Sequence, residues 1–140
     1  MISMIIDATN LVLGRLASYV AKRALLGENI VIVNCSKAVV SGRKNKVFKD
    51  YMQKTMRGIP TKGPFIYRTP DKFVKRTIRG MLPHKQYKGR EALKRIRCYN
   101  NIPDKFKNEK INTVPGADVK KLPTLNYVLV EDICKFIGGL

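Results

Sequence analysis

The stretch MIIDATNLVLGRLASYVAKRALLGENIVIV, residues 4–33, decides the fold. It opens on a short apolar run, Met4 to Asp7, and then changes period. Leu13, Leu16, Ala17, Val20, Ala24 and Leu25 recur at helical spacing, and Gly27 supplies a terminator. Ile30 to Val33 is β-branched throughout with no polar alternation, which suits a strand covered on both faces, as in parallel sheets. Strand, helix and strand make a β-α-β unit, whose crossover is right-handed. Nothing before Ile5 carries a structural signal, so the start is read as Met1 or Met4.

Working outward, Val39 and Val40 lead into Ser41-Gly42, where Ser41 is read as the cap of a helix running to about Arg57. Val47, Phe48, Tyr51 and Met52 form its inner face. Its first turns carry Arg43, Lys44 and Lys46, which oppose the helix dipole unless an anion sits nearby. Pro60, Gly63 and Pro64 mark GIPTKGPFIYRT, residues 58–69, as loop. Phe65 and Tyr67 stand there among Lys62 and Arg68, a mixture suited to bases and phosphates or to anchoring the loop; anchoring is the preferred reading for Phe65.

Thr69-Pro70-Asp71 reads as a helix start, with a capping hydroxyl, a first-turn proline and an acid at the positive end. Val74, Ile78 and Met81 continue this helix inward, Lys72, Lys75, Arg76 and Arg79 fall outside, and Gly80 and Pro83 end it. A short helix over 89–94, with Ala92 and Leu93 inward, precedes a strand over 96–99. Residues 101–125 contain three prolines and little periodicity, and are read as extended chain on a surface. A short strand over 127–129 follows. Val130, Ile133, Cys134 and Ile137 then sit at helical spacing, with Glu131-Asp132 opening that helix.

The charge balance limits function. The 140 residues hold 28 Lys and Arg against 10 Asp and Glu, a net +18 that self-repels without an anionic companion. Residues 43–110 carry 21 of those cations and 5 of the acids, a surplus of 16, so the rest of the chain is nearly neutral. Mixed, evenly spread charge would read as ordinary solubilising surface; this concentration reads as a footprint. The partner is a polyanion, nucleic acid or an anionic membrane, and the apolar runs are far too short to span a membrane. MISMII lacks the features of a secretory signal, which predicts a cytoplasmic protein. With 44% hydrophobic residues and no linker, repeat or low-complexity tract, residues 1–140 read as one domain with a basic middle. Cys35, Cys98 and Cys134 are odd in number and widely spaced, so they are read as small core residues.

Catalysis finds little support in the residues. No phosphate-cradling GxxxxGK[ST] or GxGxxG occurs, and SGRKNK offers a single glycine. His84 is the one histidine, and its charged neighbours are cations, so it reads as a neutral hydrogen-bonding group for a phosphate or 2′-hydroxyl. Among the acids only Asp7, at a strand end, looks placed for chemistry. No cofactor or small-molecule substrate is implied. In IRGMLPHKQYKGR, residues 78–90, two helices meet at a corner bearing Arg79, His84, Lys85, Lys88 and Arg90 without an acid. Such a corner suits adjacent phosphates of a folded RNA, which is read mostly through shape and backbone. DNA is less well matched, because no helix-turn-helix, zinc finger or basic zipper occurs. The alternative is an RNA-modifying or nucleotide-using enzyme with the same basic face.

Two separated segments carry a family resemblance. MIIDATNLVLGRLASYVAKRALLGENIVIVNCSKAVVSGRK, residues 4–44, and IRGMLPHKQYKGREALKRIRCY, residues 78–99, resemble the universal large-subunit ribosomal protein family numbered thirteen. GPFIYRTP and the proline-bearing tail are closer to its archaeal and eukaryotic branch. The resemblance implies a three-layer α/β/α fold around a four-stranded, mostly parallel sheet, with basic loops and an extended C-terminal segment. It also implies no catalysis, a place in the large ribosomal subunit beside neighbouring ribosomal proteins, and a role in early assembly. Family positions matched here are Gly14 and Arg15, Ser41 and Gly42, and Arg79 to Pro83. Of these, Arg15, Ser41 and Arg79 are the implied RNA contacts, while Met81 and Leu82 are implied packing residues. Cys98, where the family has a larger aliphatic, and Asn100-Asn101, where it has Val-Gly, depart from the pattern. The basic face and the resemblance together nominate Arg15, Lys37, Ser41, Arg43, Lys44, Lys46, Lys62, Arg68, Arg76, Arg79, His84, Lys85, Lys88 and Arg90 as RNA-binding residues.

Overall fold

The computed structural model describes residues 3–139. Its strands are β1 (Ser3–Asp7), β2 (Asn29–Val33), β3 (Val39–Ser41), β4 (Ile96–Cys98), β5 (Ile111–Asn112) and β6 (Tyr127–Leu129). Its helices are α1 (Leu13–Leu25), α2 (Lys44–Thr55), α3 (Pro70–Gly80), α4 (Tyr87–Lys94) and α5 (Val130–Phe136). The β-α-β reading of residues 4–33 holds: β1 and β2 pair in parallel, with Ile5 opposite Val31 and Ile6 opposite Ile32. β4 adds beyond β2 and β5 beyond β1, giving a parallel sheet of order β4-β2-β1-β5. β3 and β6 form a separate antiparallel pair.

Strand alternation divides the core. Ile6, Ile30, Ile32 and Ile96 face one side, where they pack with Leu16, Val20, Val74, Ile78 and other apolar residues of the helices. Ile5, Val31 and Val33 face the other, against Tyr99, Ile102, Phe106 and Ile111. This second covering layer is the connection from β4 to β5, which includes a 3-10 turn at Asp104–Phe106. The topology explains the division. The chain advances from β1 through β2 to β4 and then reverses to reach β5, and right-handed crossovers put the return on the opposite face. All four residues from Ile30 to Val33 are therefore buried.

The carboxyl end of the sheet is closed by Asp7. Its Oδ1 accepts hydrogen bonds from Thr9 N (2.9 Å), Thr9 Oγ1 (2.6 Å) and Asn34 Nδ2 (3.0 Å). Asn34 is buried in left-handed backbone, φ 57°, a conformation Asn tolerates better than most residues. Burial opposes ionisation of Asp7, but the Thr9 and Asn34 hydrogen bonds and the charge of Lys37 outweigh it, holding the carboxyl below its ordinary range. Asp7 therefore works as a turn clamp, contrary to its reading as the acid best placed for chemistry.

Several expectations are corrected. Ser41 does not cap α2: it ends β3 opposite Tyr127, and Arg43 occupies the N-cap without a side-chain hydrogen bond. Thr69 does occupy the α3 N-cap, with Pro70 after it, but its buried Oγ1 has no partner among the described residues. Asn100 takes over the work, since the Asp71 N–H donates to Asn100 Oδ1 at 2.8 Å. The departure at Asn100 thus has a local function. Met81 is 45% exposed, because α3 stops at Gly80 and the helical phase no longer applies; Leu82 fills the inward place instead. The 101–125 segment, read as extended, contains β5 and two 3-10 turns. Ser3 and Met4, read as dispensable, belong to β1, while Met1 and Ile2 lie outside the described residues.

The thiols pack as expected of small core residues, with Cys35 and Cys134 buried and Cys98 half-buried against the core. A hydrogen bond with Cys98, together with burial, keeps Cys35 protonated, and burial with Asp71 nearby pushes Cys134 up to about 11. Among the described residues no helix is long and apolar enough to cross a membrane.

Candidate nucleic-acid interface

The corner at residues 78–90 is built by packing, and the packing leaves its cations outside. Val74, Ile78 and Leu82 anchor α3 and its exit turn in the core. The turn closes with His84 N donating to Leu82 O (2.8 Å) and Gln86 N to Pro83 O (2.9 Å). α4 then folds back so closely that a Cβ on Gly89 would lie 2.0 Å from the Pro83 carbonyl oxygen. Gly89 is the residue that permits this approach. Lys85, Lys88 and Arg90 stand exposed around the corner, with His84 and Arg79 half-buried at its base.

The outer face of α3 carries Lys72, Lys75, Arg76 and Arg79 at i, i+3, i+4 and i+7. With Tyr67 and Leu93 they line a cavity of about 320 Å³. Lys75 is partly committed, since its Nζ donates to Ile96 O at 2.9 Å on the edge strand β4. A second cavity of about 370 Å³ adjoins it across Tyr67 and Arg76 and reaches Tyr51, Lys54, Phe65 and Phe73. A third, of about 470 Å³, continues along the loop past Phe65 to Met56, Arg57, Ile59 and Arg68. No acid lines any of the three. Phe65 is 71% exposed, which overturns its reading as a core anchor.

The nominated residues fall into groups. Arg76 and Arg79 share one cavity, and Arg68 lies farther along the same chain of cavities. Lys62 is exposed in the loop that forms the wall. Arg43, Lys44 and Lys46 surround the start of α2, which has neither a side-chain cap nor an acid in its first turn. The start of α4, beside Lys88 and Arg90, is alike in both respects. Arg15, Lys37 and Ser41 lie outside these cavity linings. Arg15 Nη1 donates to Gly116 O (3.1 Å), and Lys37 ends the 3-10 turn Cys35–Lys37 near Asp7.

Few of the cations are neutralised by acids. The four ion pairs among the described residues use Arg23, Lys94, Lys107 and Lys135, none of them nominated for RNA. Arg95 also has a structural partner, donating from Nη1 to Ala24 O (3.1 Å) at the end of α1. The nominated cations have no acidic partner within ion-pair distance among the described residues. Lys54, Arg57 and Lys72, which also line these cavities, were not nominated. The α3 spacing made Lys72 legible, whereas Lys54 and Arg57 enter only because the loop folds back beside α2.

A family model described as Ribosomal protein L13 matches residues 2–105. Large ribosomal subunit protein uL13 of Methanopyrus kandleri is 46% identical over 136 residues, covering 96% of this chain and 86% of the relative. The proteins of the same description from Archaeoglobus fulgidus and Methanosarcina barkeri are 41% and 42% identical, each across 96% of this chain and over 86% and 97% of their own lengths.

Proposed function

We propose that this chain, which belongs to the Ribosomal protein L13 family, binds large-subunit ribosomal RNA through its basic middle and supports early assembly of the subunit. The family consists of structural proteins of the large ribosomal subunit rather than enzymes. The α3–α4 corner, the outer face of α3 and the start of α2 meet RNA phosphates, while loop side chains fit between them. Arg15, Lys37 and Ser41 extend the contact toward the carboxyl end of the sheet. Neighbouring ribosomal proteins pack beside this surface.

The observation that carries the reading is the set of exposed cations left without acidic partners around acid-free cavities. Unneutralised cations held on packed helices repel one another, and phosphates relieve that repulsion with release of counterions. Placed cations match the backbone and shape of folded RNA without a base-reading helix. The test is stepwise reconstitution from large-subunit ribosomal RNA and purified ribosomal proteins. The chain is expected to join the RNA among the first proteins; a chain that stays free until the particle is otherwise complete contradicts the assembly role.

A further inference from the structure

We propose that the cavity between α2, α3 and the 58–69 loop receives one unstacked nucleobase of the ribosomal RNA against Phe65 and Tyr67. This rests on the RNA-binding reading and adds to it, because duplex backbone contact gives no reason for exposed aromatic rings. Phe65 and Tyr67 are 71% and 44% exposed, and they follow a hydrogen-bonded turn. Ile59 and Gly63 exchange hydrogen bonds at 3.3 and 2.9 Å, and Phe65 folds over Gly63 so tightly that a Cβ there would meet its ring at 3.1 Å. Gly63, at φ 88°, leaves room for that ring.

The cavity has the surfaces that a nucleotide needs. Tyr51 and Phe73, with ring centroids 5.3 Å apart, form an aromatic floor, while Phe65 and Tyr67 add the loop side. Its volume of about 370 Å³ lies near the lower end of small-ligand clefts, roughly 300–1,000 Å³. Lys54 and Arg76 supply its charge, with Lys54 Nζ 4.7 Å from the Tyr51 ring centre. A base entering the cavity brings a phosphate on either side, and Arg76 also borders the neighbouring cavity, where a flanking phosphate meets Lys72 and Arg79. Stacking on aromatic faces with cations along the backbone is how unpaired RNA is held. An uncharged apolar peptide would cover the rings but leave these cations unneutralised, so charge complementarity favours the nucleotide.

The experiment uses large subunits reconstituted with this chain and irradiated with short-wave ultraviolet light, followed by digestion with trypsin and ribonuclease. Cleavage after Lys62 and Arg68 releases GPFIYR, residues 63–68, which holds both rings. A nucleotide adduct on this peptide is expected. The Phe65→Ala/Tyr67→Ala double variant, checked for an unchanged circular dichroism spectrum, is expected to bind large-subunit ribosomal RNA transcripts about tenfold more weakly at an unchanged salt slope, whereas Tyr67→Phe retains affinity. Wild-type affinity in the double variant, with GPFIYR unmodified, overturns the base site while leaving phosphate binding intact. Crosslinking of GPFIYR to a neighbouring protein overturns it in favour of a protein occupant. Failure of the wild-type chain to bind any large-subunit transcript overturns both this site and the reading beneath it.

Discussion

Gly89 and Asp7 show how single residues hold the frame that displays the cations. Replacing Gly89 by Ala places a methyl group 2.0 Å from the Pro83 carbonyl oxygen, so α4 must move away from the turn. A loss of about 1–3 kcal/mol is expected, the usual range for overpacking, seen as a lower urea midpoint. Asp7 makes stability depend on pH. Its carboxyl titrates lower in the folded chain than in the unfolded one, so its contribution is fully present above the unfolded value, about 4, and is lost as pH falls through the folded value. Between neutral pH and pH about 3, Asp7→Asn is therefore expected to show a smaller fall in urea-unfolding free energy than the wild type. Equal falls would mean that Asp7 contributes nothing to acid sensitivity. Residue readings failed where tertiary structure claimed the side chain. Ser41 is a sound capping residue in isolation, but β3–β6 pairing took its backbone, and Phe65 has the composition of an anchor but folds over Gly63 toward solvent.

At the level of elements, the long periodic segments were legible, the short α4, β4, β6 and α5 were read close to their observed bounds, and the shortest strand was missed. α1 and the inner side of α3 follow from 3.6-residue spacing, and β2 follows from an unbroken β-branched run. β5 has only two residues, too few to display a period, and exists because β1 offers it an open edge. The α3–α4 corner was legible as a helix stop with unbalanced charge, but its tight closure on Gly89 was not, since it depends on the backbone path of Pro83. Changing Arg79, Lys85, Lys88 and Arg90 together to Ala removes charge from this corner and leaves Leu82, Ala92 and Gly89 in place. RNA binding is expected to weaken with the circular dichroism spectrum unchanged, and the log–log salt slope to become shallower by about 0.7 for each phosphate that is no longer neutralised. Unfolding of this variant would show that the four side chains support the corner rather than project from it.

For the molecule as a whole, a nearly neutral β-α-β scaffold carries a basic middle whose surplus of 16 charges is legible by counting, although its folding into adjoining acid-free cavities is not. In the proposed RNA complex the scaffold lowers the cost of binding, because a flexible polycation would lose the conformational entropy of each contact, whereas α3 and α4 are already packed. The most direct test is the affinity of the full chain for large-subunit ribosomal RNA over a series of salt concentrations. Six or more phosphate contacts predict a log–log slope of about −4 or steeper, using about −0.7 per contact. A slope near zero would mean that the unpaired cations of the middle segment do not meet phosphate, contradicting the account at its base.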